Sequence, residues 1–393
     1  MLGFIKDNNC TGCTACKSIC PKHCIEMKRL KDGFLYPFTD ASKCIHCGLC
    51  ERVCPQYNDV SMIQMISQEA YAAIIKDKNI WKRSASGGAF TGVCRAWNNK
   101  TPTHYVGAVW ADGFYVKHVC VEDLLDIDRF RKSKYISSDM NSVFEQIKYY
   151  LENNERVLFS GTPCQAAGLR MYLKKDYCNL LIVDLICHGV GSQYVFNESI
   201  KLLEEQIGGV IVSYDFRAKR NTYETDYLSR VKYISEGITK EIYLENDRFS
   251  QLYLNQLCLR NSCGGNCKYR SSNRQGDITI ADFKGLSNVF PQFKGSKVNY
   301  STIVVNTQKG KDLLPKLKEE MYLYSCDLTD VEKYNPLFSH QTWFCKERDS
   351  FFEEFNNNPR KTIEEITSPA VVSKLSLKRR IYSLLPVFIR RKL

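Results

Sequence analysis

The sequence lacks an uninterrupted apolar run long enough to span a bilayer, which argues against an integral membrane protein. Its first residues, MLGFIKDNNC, lack the apolar core of a signal peptide, so the chain is expected to stay in the cytoplasm. It also lacks a recognised nucleic-acid-binding module, so nucleic acid is not an expected partner despite a formal net charge of +12. Its 393 residues suffice for one large domain and one small domain.

Cysteine, by contrast, is abundant, with 19 residues. Cytosolic thiols are kept reduced, so iron–sulfur or metal ligation explains them better than disulfides do. The stretches CTGCTACKSIC (10–20) and CIHCGLCERVC (44–54) both have the spacing C-x2-C-x2-C-x3-C and both precede a proline. In bacterial ferredoxins with this spacing, three cysteines bind one 4Fe-4S cluster and the fourth binds the other. A zinc-binding module is the weaker alternative, because it does not account for two full copies followed by proline.

The two stretches predict two ligand sets in a double 4Fe-4S ferredoxin domain over residues 1–58. The first set is Cys10, Cys13, Cys16 and Cys54, and the second set is Cys44, Cys47, Cys50 and Cys20. Cys24 and His46 fall outside this pattern and are expected to be packing or surface residues. Because a ferredoxin module carries single electrons and does no substrate chemistry, the rest of the chain must determine where the electrons go.

Beyond a polar linker at residues 56–68, apolar runs alternate with amphipathic ones. Helical spacing occurs at 142–154, 166–175 and 193–207, and buried strands are predicted for RVLFSG, NLLIVDLICHG and GVIVSYDF. Strands that alternate with helices predict right-handed crossovers and a parallel sheet. The predicted fold class is therefore α+β and α/β, a small N-terminal bacterial-type ferredoxin domain followed by a large α/β domain with a mainly parallel sheet.

Two cysteines follow predicted strands, Cys164 in GTPC and Cys187 in DLICHGVGS. Ligands of such sheets collect at the carboxyl ends of the strands, so these thiols are expected to converge. Cys263 and Cys267 flank two glycines, which allow the backbone to curl around a ligand. These four cysteines suffice for a third 4Fe-4S cluster, although buried free thiols are an equally good interpretation of the spacing.

Other features have a weaker signal. The loop RSASGGAFTG (83–92) precedes a predicted helix and can present backbone N–H groups to a phosphate, although a simple turn is the commoner role. Cysteines in no motif are expected to be structural: Cys94, Cys120, Cys178, Cys326 and Cys345.

Six segments together resemble the coenzyme F-420 hydrogenase/dehydrogenase beta-subunit family. They are SASGGAFT (84–91), SKYISSD (133–139), VLFSGTPCQAAGLR (157–170), VDLICHGVGS (183–192), DFRAK (215–219) and RQGDITIADFKG (274–285). The resemblance extends over residues 69–345, and an N-terminal double ferredoxin is a common companion in this family. It implies a flavoprotein domain that binds FAD beside an iron–sulfur cluster and passes electrons between the two.

The resemblance also implies site residues, carried over position by position. The flavin neighbourhood would comprise Ser86, Gly87, Gly88, Lys134, Tyr135 and Ser138, with Thr162, Cys164, Cys187 and His188 at the edge that faces the cluster. Asp282, Arg217 and Lys219 would hold flavin or substrate, and with Lys134 they are the candidates for catalytic roles. A cation near a flavin stabilises its reduced, anionic form. A solvated surface group is the alternative for each basic residue.

The sequence departs from the family pattern at three places. Gly191 stands where proline is usual, Ala281 and Lys284 stand where glycine and tryptophan are usual, and Cys263 and Cys267 are one residue further apart than usual. The longer cysteine spacing concerns whether a third cluster can form. The other changes are expected to affect substrate binding more than flavin binding.

Residues 346–393 are predicted to form a helical, basic and amphipathic C-terminal tail. Its last part, KLSLKRRIYSLLPVFIRRKL (374–393), interleaves apolar with basic residues, which suits peripheral contact with an anionic membrane surface. Pro386 limits it to two short helical pieces. A disordered, solubilising tail is the alternative.

The preferred interpretation is an iron–sulfur, flavin-dependent oxidoreductase. Electrons would enter at the ferredoxin clusters, pass through a third cluster to FAD and reach a small organic substrate. Analogy with bacterial members of the family that have this layout suggests a substrate in polysaccharide biosynthesis. A second interpretation is an electron-transfer subunit without its own substrate, which relays electrons to a partner such as a ferredoxin-like donor or a hydrogenase/dehydrogenase subunit. A third is a hydrolase or transferase built on Cys187 and His188, but adjacent residues on a strand point to opposite faces.

Overall fold

The computed structural model describes residues 9–60, 64–219, 228–296 and 298–373. The N-terminal domain is small and folds around its cysteines. Its elements are helices α1 (Ala15–Ser18) and α2 (Leu49–Arg52) and strands β1 (Ile25–Arg29) and β2 (Leu35–Thr39). The two strands pair antiparallel.

The two cysteine stretches adopt the same backbone conformation. Each short helix begins after a residue with a positive φ, Thr14 at 67° and Gly48 at 69°. A positive φ also occurs two residues earlier in each stretch, at Gly12 and His46. Because left-handed residues turn the backbone sharply, each loop can wrap its cysteines around a common centre.

The large domain contains twelve strands and twelve α-helices within the described residues. The strands are β3 (Met65–Ile75), β4 (Thr103–Ala111), β5 (Tyr115–Val121), β6 (Arg156–Ser160), β7 (Leu180–Leu185), β8 (Val210–Ala218), β9 (Leu228–Ser235), β10 (Ile238–Glu245), β11 (Ile278–Asp282), β12 (Ser301–Thr307), β13 (Met321–Cys326) and β14 (Val371–Val372). The helices are α3 (Lys78–Arg83), α4 (Ala89–Trp97), α5 (Val143–Glu152), α6 (Pro163–Leu173), α7 (Gln193–Ile207), α8 (Arg248–Leu254), α9 (Leu286–Val289), α10 (Gln308–Asp312), α11 (Leu314–Glu320), α12 (Leu328–Tyr334), α13 (Arg348–Asn357) and α14 (Pro359–Ile366).

Eight strands form one mixed sheet with the order β13-β3-β12-β11-β7-β6-β4-β5. The four strands β11, β7, β6 and β4 are parallel to one another, and the remaining neighbours pair antiparallel. The α/β class is therefore confirmed, with the parallel part confined to the centre of the sheet. Along β6, Val157 and Phe159 pack on one side with α5 and α6, while Leu158 packs on the other side with α4 and α11.

The prediction that GVIVSYDF extends the parallel series is wrong. This segment is β8, which belongs to a separate antiparallel sheet with the order β14-β10-β9-β8. Its side chains alternate, with Val210 and Val212 63% and 49% exposed and Ile211 buried. Such alternation is typical of an antiparallel strand with one solvated face, and an apolar run alone does not reveal it.

Three helices match their predicted positions. Helix α7 begins and ends at the predicted residues, and α5 is shorter by one or two residues at each end. Helix α6 begins earlier than expected, because Thr162 and Gln165 form a capping box and Pro163 occupies the first turn. This places Cys164 in the first turn of α6, directly after β6 ends.

The ferredoxin domain packs against the large domain through close contacts. Gly168 of α6 leaves no room for a side chain, because a Cβ atom there would lie 2.7 Å from the Cβ atom of Cys13. The hydroxyl of Tyr269 donates to the carbonyl oxygen of Pro55 at 2.8 Å. The first cysteine loop therefore lies directly on the helix that carries Cys164.

Of the predicted C-terminal tail, the structure describes residues 346–373, which contain α13, α14 and β14. The basic amphipathic stretch 374–393 lies outside the described residues, so membrane contact stays a prediction. None of the helices in the described ranges is both long and apolar enough to cross a membrane.

Candidate functional site

The first predicted ligand set lines one small cavity. Cys10, Cys13, Cys16 and Cys54 all contribute to its wall. Burial raises the pKa of the Cys13 thiol to about 12, so a positively charged iron centre would be needed to hold it as a thiolate. The backbone N–H of Gly12 points at the sulfur of Cys10 at 3.3 Å, as expected for a sulfur that carries negative charge in a cluster. These residues fit a 4Fe-4S cluster.

The second predicted set lies nearer to the surface. Cys20 is buried, Cys44 and Cys50 pack against it, and Cys47 is exposed. His46 is also exposed, which fits a surface residue, one of the two roles expected for it from the sequence. Cys24 is buried with this set, and its sulfur lies 3.3 Å from that of Cys20, a proximity that the spacing did not reveal.

The third set also comes together. Cys164, Cys187, Cys263 and Cys267 line one enclosed cavity at the carboxyl end of the central strands. Burial, together with the neighbouring thiols of the set, raises the pKa of Cys187 to about 12 and that of Cys263 to about 11. All four donors are thiols of the kind that an iron–sulfur cluster requires, so the set fits this cofactor.

The additional residue between Cys263 and Cys267 is absorbed by the backbone. Gly264 has a φ of +63°, and residues Gly264–Asn266 form a single 3-10 turn that brings both cysteines to the cavity. In the described part of the chain, no three His, Cys, Asp or Glu side chains are spaced to hold a single metal ion.

A much larger cavity of about 660 Å³ lies beside the third cysteine set. This volume is in the range of cofactor and ligand sites. Ten residues that the family resemblance implies line its wall: Ser86, Gly88, Lys134, Tyr135, Ser138, Thr162, Cys187, His188, Arg217 and Asp282. Gly87 lies behind this wall, where its N–H donates to the hydroxyl of Ser301, and Lys219 lines an adjoining cavity.

The wall of the large cavity and the wall of the adjoining cavity each contain a buried lysine. The Lys134 ammonium donates to the carbonyl oxygens of Phe130 and Arg131, and burial lowers its pKa to about 8. The Lys219 ammonium donates to two further carbonyl oxygens, and burial lowers its pKa to about 7. Both pKa values are low because a buried ammonium loses hydration, so an anionic ligand would stabilise the charged form.

One polar network in this wall has no signature in the sequence. His118 is buried, and desolvation lowers its pKa to about 4, so the ring is neutral. Its Nε2 faces the carbonyl oxygen of Ser160 at 3.1 Å and must donate there. Its Nδ1 then accepts from the Ser138 hydroxyl at 2.9 Å, which in turn accepts from Gln165. The network fixes Ser138 as a hydrogen-bonding group that faces the cavity.

Cys187 and His188 do not act as a nucleophile and its base. The Nε2 atom of His188 lies 3.4 Å from the carbonyl oxygen of Tyr253, and its ring packs on the Tyr253 ring. No hydrogen bond joins these two described residues, and Cys187 instead lines the third-set cavity. The geometry therefore gives no support to a hydrolase or transferase at this pair.

Gly191, where the family usually has proline, has a structural role that proline cannot fill. Its N–H donates to the carbonyl oxygen of Tyr135 at 2.8 Å. Proline has no N–H, and a side chain here would also meet the ring of Phe249. This contact connects the loop that carries Cys187 and His188 to the loop that carries Lys134.

A buried ion pair holds the segment before Cys187 in place, and breaking this pair should destabilise the protein. Asp184 is fully buried and accepts from Arg274, from the Gln275 N–H and from the Thr279 hydroxyl. We expect Asp184→Asn to lower the free energy of unfolding by ~3–5 kcal/mol, since it leaves a buried guanidinium uncompensated. Urea unfolding followed by fluorescence measures this change.

The matched control is Arg360→Ala, which removes a solvent-exposed pair with Glu205. It should cost less than ~1 kcal/mol, because water screens exposed charges. A loss for Asp184→Asn no larger than that of the control would show that the buried pair does not stabilise this segment.

The three cavities adjoin one another. Thr11 lines both the first-set cavity and the third-set cavity. Thr162, Cys187, Gly189 and Val190 line both the third-set cavity and the large cavity. A continuous path of candidate cofactor sites therefore runs from the ferredoxin domain into the large domain.

Comparisons with known proteins found two family matches and similar solved structures. Residues 9–58 match the family described as 4Fe-4S dicluster domain, and residues 154–331 match the family described as the C terminus of the coenzyme F420 hydrogenase/dehydrogenase beta subunit. One similar solved structure is the xenon-derivatised F420-reducing [NiFe] hydrogenase complex from Methanosarcina barkeri, at 15% identity and a TM-score of 0.43, covering 78% of this chain and 94% of that chain. No curated protein matches the chain.

The fold and the cysteine sets define an iron–sulfur electron-transfer protein. Residues 154–331 are similar to the coenzyme F420 hydrogenase/dehydrogenase beta-subunit family, and residues 9–58 before them are similar to the 4Fe-4S dicluster family. The predicted resemblance is thereby confirmed.

Proposed function

We propose that the protein is a flavin-dependent oxidoreductase that moves electrons between its 4Fe-4S clusters and FAD, and from there to or from a small organic substrate. The observation that carries this proposal is the contact between the cavities. The large cavity shares Cys187 and Thr162 with the third cysteine set, which in turn shares Thr11 with the first set. Electron transfer requires such closely spaced centres, and a binding protein does not.

Exposure gives the order of the sites. Cys47 of the second set is exposed, and Ile45 beside it is 57% exposed, so a redox partner protein has access there. Cys13 and Cys16 of the first set are buried, and Cys13 lies against Gly168 of the large domain. The proposed order is the second set, the first set, the third set and then the large cavity.

The residues of the large cavity suit FAD by chemistry as well as by volume. When bound, a flavin exchanges single electrons with clusters and electron pairs with organic substrates. Ser86, Gly88 and Ser138 offer small or polar contacts, and Tyr135 and Tyr253 provide a stacked aromatic wall with ring centroids 4.8 Å apart. Arg217 and Asp282 form an ion pair at the wall, where they could orient a polar substrate.

The substrate class rests on the family resemblance alone, which favours a sugar or a lipid-linked molecule in polysaccharide biosynthesis. A protein that is chemically reduced without oxygen should be reoxidised by such a molecule in the absence of any other protein. Nucleotide-linked sugars are the first probes to use. Reoxidation by a partner protein only, at the exposed Cys47 surface, would instead establish the second candidate function, an electron-transfer subunit.

Lys134 should make the flavin potential depend on pH. Its pKa of about 8 means that the ammonium is charged below pH 8 and neutral above it. Above pH 8, negative charge entering the cavity on reduction should cause Lys134 to take up a proton. The potential should therefore fall more steeply above pH 8, by an additional ~30 mV per pH unit for a two-electron couple.

Spectroelectrochemical titration on both sides of pH 8 measures this slope. Lys134→Met should remove the additional slope, whereas Lys76→Met, which alters a lysine that bonds the Lys318 carbonyl at the surface, should retain it. Identical slopes in all three proteins would show that Lys134 does not respond to charge in the cavity.

A further inference from the structure

Arg260 is a fully buried cation that has no ion-pair partner among the described residues. Its side chain is 1% exposed, and it forms no salt bridge within the described ranges. Its Nε donates to the carbonyl oxygen of Cys10 at 2.5 Å and its Nη2 donates to that of Leu35 at 2.8 Å. Its Nη1 is buried without a hydrogen-bond partner. A lone buried charge is costly, so such an arrangement requires a negative charge nearby.

The position of Arg260 indicates where that negative charge lies. On one side it touches the first cysteine loop, since a Cβ atom on Gly12 would lie 2.9 Å from Nη1. On the other side it lines the third-set cavity together with Cys263 and Cys267. The guanidinium thus lies between the first and third sets, and it also packs on the Tyr36 ring at 4.4 Å.

The other charged groups nearby do not neutralise it. Asp32 lies on the same side of the ferredoxin domain, but its carboxylate accepts from the Tyr36 hydroxyl and pairs with Arg348. Arg270 and Arg274 also line the third-set cavity, and Arg274 is paired with Asp184. Thiolate-ligated 4Fe-4S clusters are anionic, and reduction adds one negative charge to the cluster. Two such clusters would compensate the guanidinium from both sides.

We propose that Arg260 is a positioning residue that lies between cluster one, the cluster of the first cysteine set, and the third cluster. Its charge raises the reduction potential of both clusters. A fixed positive charge stabilises the reduced, more negative form of each cluster more than the oxidised form. Cluster two, the cluster of the second cysteine set, should respond far less, because its ligand Cys47 is exposed and water screens charges there. The part that concerns the third cluster rests on the function proposed above, and the part that concerns cluster one does not.

The test is a redox titration of the holoprotein followed by electron paramagnetic resonance, with Arg260→Gln compared with wild type. At a fixed potential, the ratio of reduced to oxidised cluster should fall about tenfold for cluster one and for the third cluster, equivalent to ~59 mV for one electron. Cluster two should not change. Repeating the titration with Cys187→Ala protein assigns the signal of the third cluster.

Two further variants distinguish the effect of the Arg260 charge from an effect of the substitution on folding. Arg260→Lys keeps a cation and should keep most of the potential. Arg156→Gln removes a half-buried guanidinium that lies over Trp97, remote from the cysteine sets, and should change no potential. If Arg260→Gln failed to load clusters while Arg260→Lys loaded them, the requirement for a cation would still be established.

The proposal would be overturned by unchanged potentials in Arg260→Gln, by an equal shift at all three clusters, or by identical loss of clusters in the Gln and Lys variants. Iron quantification of wild type distinguishes these outcomes from failure of the proposed function. A protein with only two clusters would refute the third cluster, while the shift of cluster one would still test Arg260.

Discussion

Replacing Cys187 by alanine should lower the iron content of the anaerobically purified protein by about one third, from about twelve to about eight irons per chain. Cys187 is one of four thiols that line the third-set cavity, and it also forms part of the wall of the large cavity. Without this ligand the cluster would keep three thiolates and an open iron, which favours its loss. The ferredoxin clusters use other cysteines and should keep their spectroscopic signals.

The matched control is Cys258→Ala. Cys258 is fully buried and lies only five residues before Cys263, but it does not line the third-set cavity. Its replacement should leave the iron content unchanged. Equal iron content in Cys187→Ala and wild type would contradict the assignment of the third set.

Replacing Ala281 by tryptophan should abolish flavin binding and leave the iron content intact. Ala281 lies near the end of β11, is only partly buried, and lines the large cavity. A tryptophan side chain can extend into the open volume of the cavity, so the fold should tolerate it better than a bulky residue in a filled core. The ring would then occupy space that the cofactor needs.

Flavin is measured by its absorbance after release from the protein, and iron is measured in the same sample. Ala281→Ser is the control, because a serine adds one small polar atom and should keep flavin near the wild-type level. A full complement of flavin in Ala281→Trp would mean that the cofactor binds elsewhere. Loss of both flavin and iron would indicate misfolding, which circular dichroism detects.

The grouping of the ferredoxin cysteines could be predicted from sequence because the geometry of each loop is local. Spacing fixes which cysteines share a loop, and the positive φ angles at Thr14 and Gly48 turn both loops in the same way. Ten of the residues that the resemblance implied also line the wall of one cavity. Short motifs sufficed to predict these residues, because each motif lies at the end of a strand or the start of a helix, where ligands of such sheets bind.

Other parts of the site depend on packing that a single sequence does not show. His118 has no motif around it, and nothing in the segment 157–170 singles out Gln165. The pairing of β4 with β5 and the cap of α6 nevertheless place both beside Ser138. Arg260 becomes informative only when its burial and its missing partner are known. Strand β8 was assigned to the wrong sheet because its exposed valines resemble a buried run.

Quantification of iron, sulfide and flavin in the wild-type protein purified without oxygen tests the proposed electron path most directly. Three 4Fe-4S clusters and one flavin correspond to about twelve irons, about twelve sulfides and one FAD per chain. Eight irons with one FAD would remove the third cluster from the electron path but leave the flavoprotein intact. Absence of flavin from the purified protein, with both ferredoxin clusters present, would contradict the central claim.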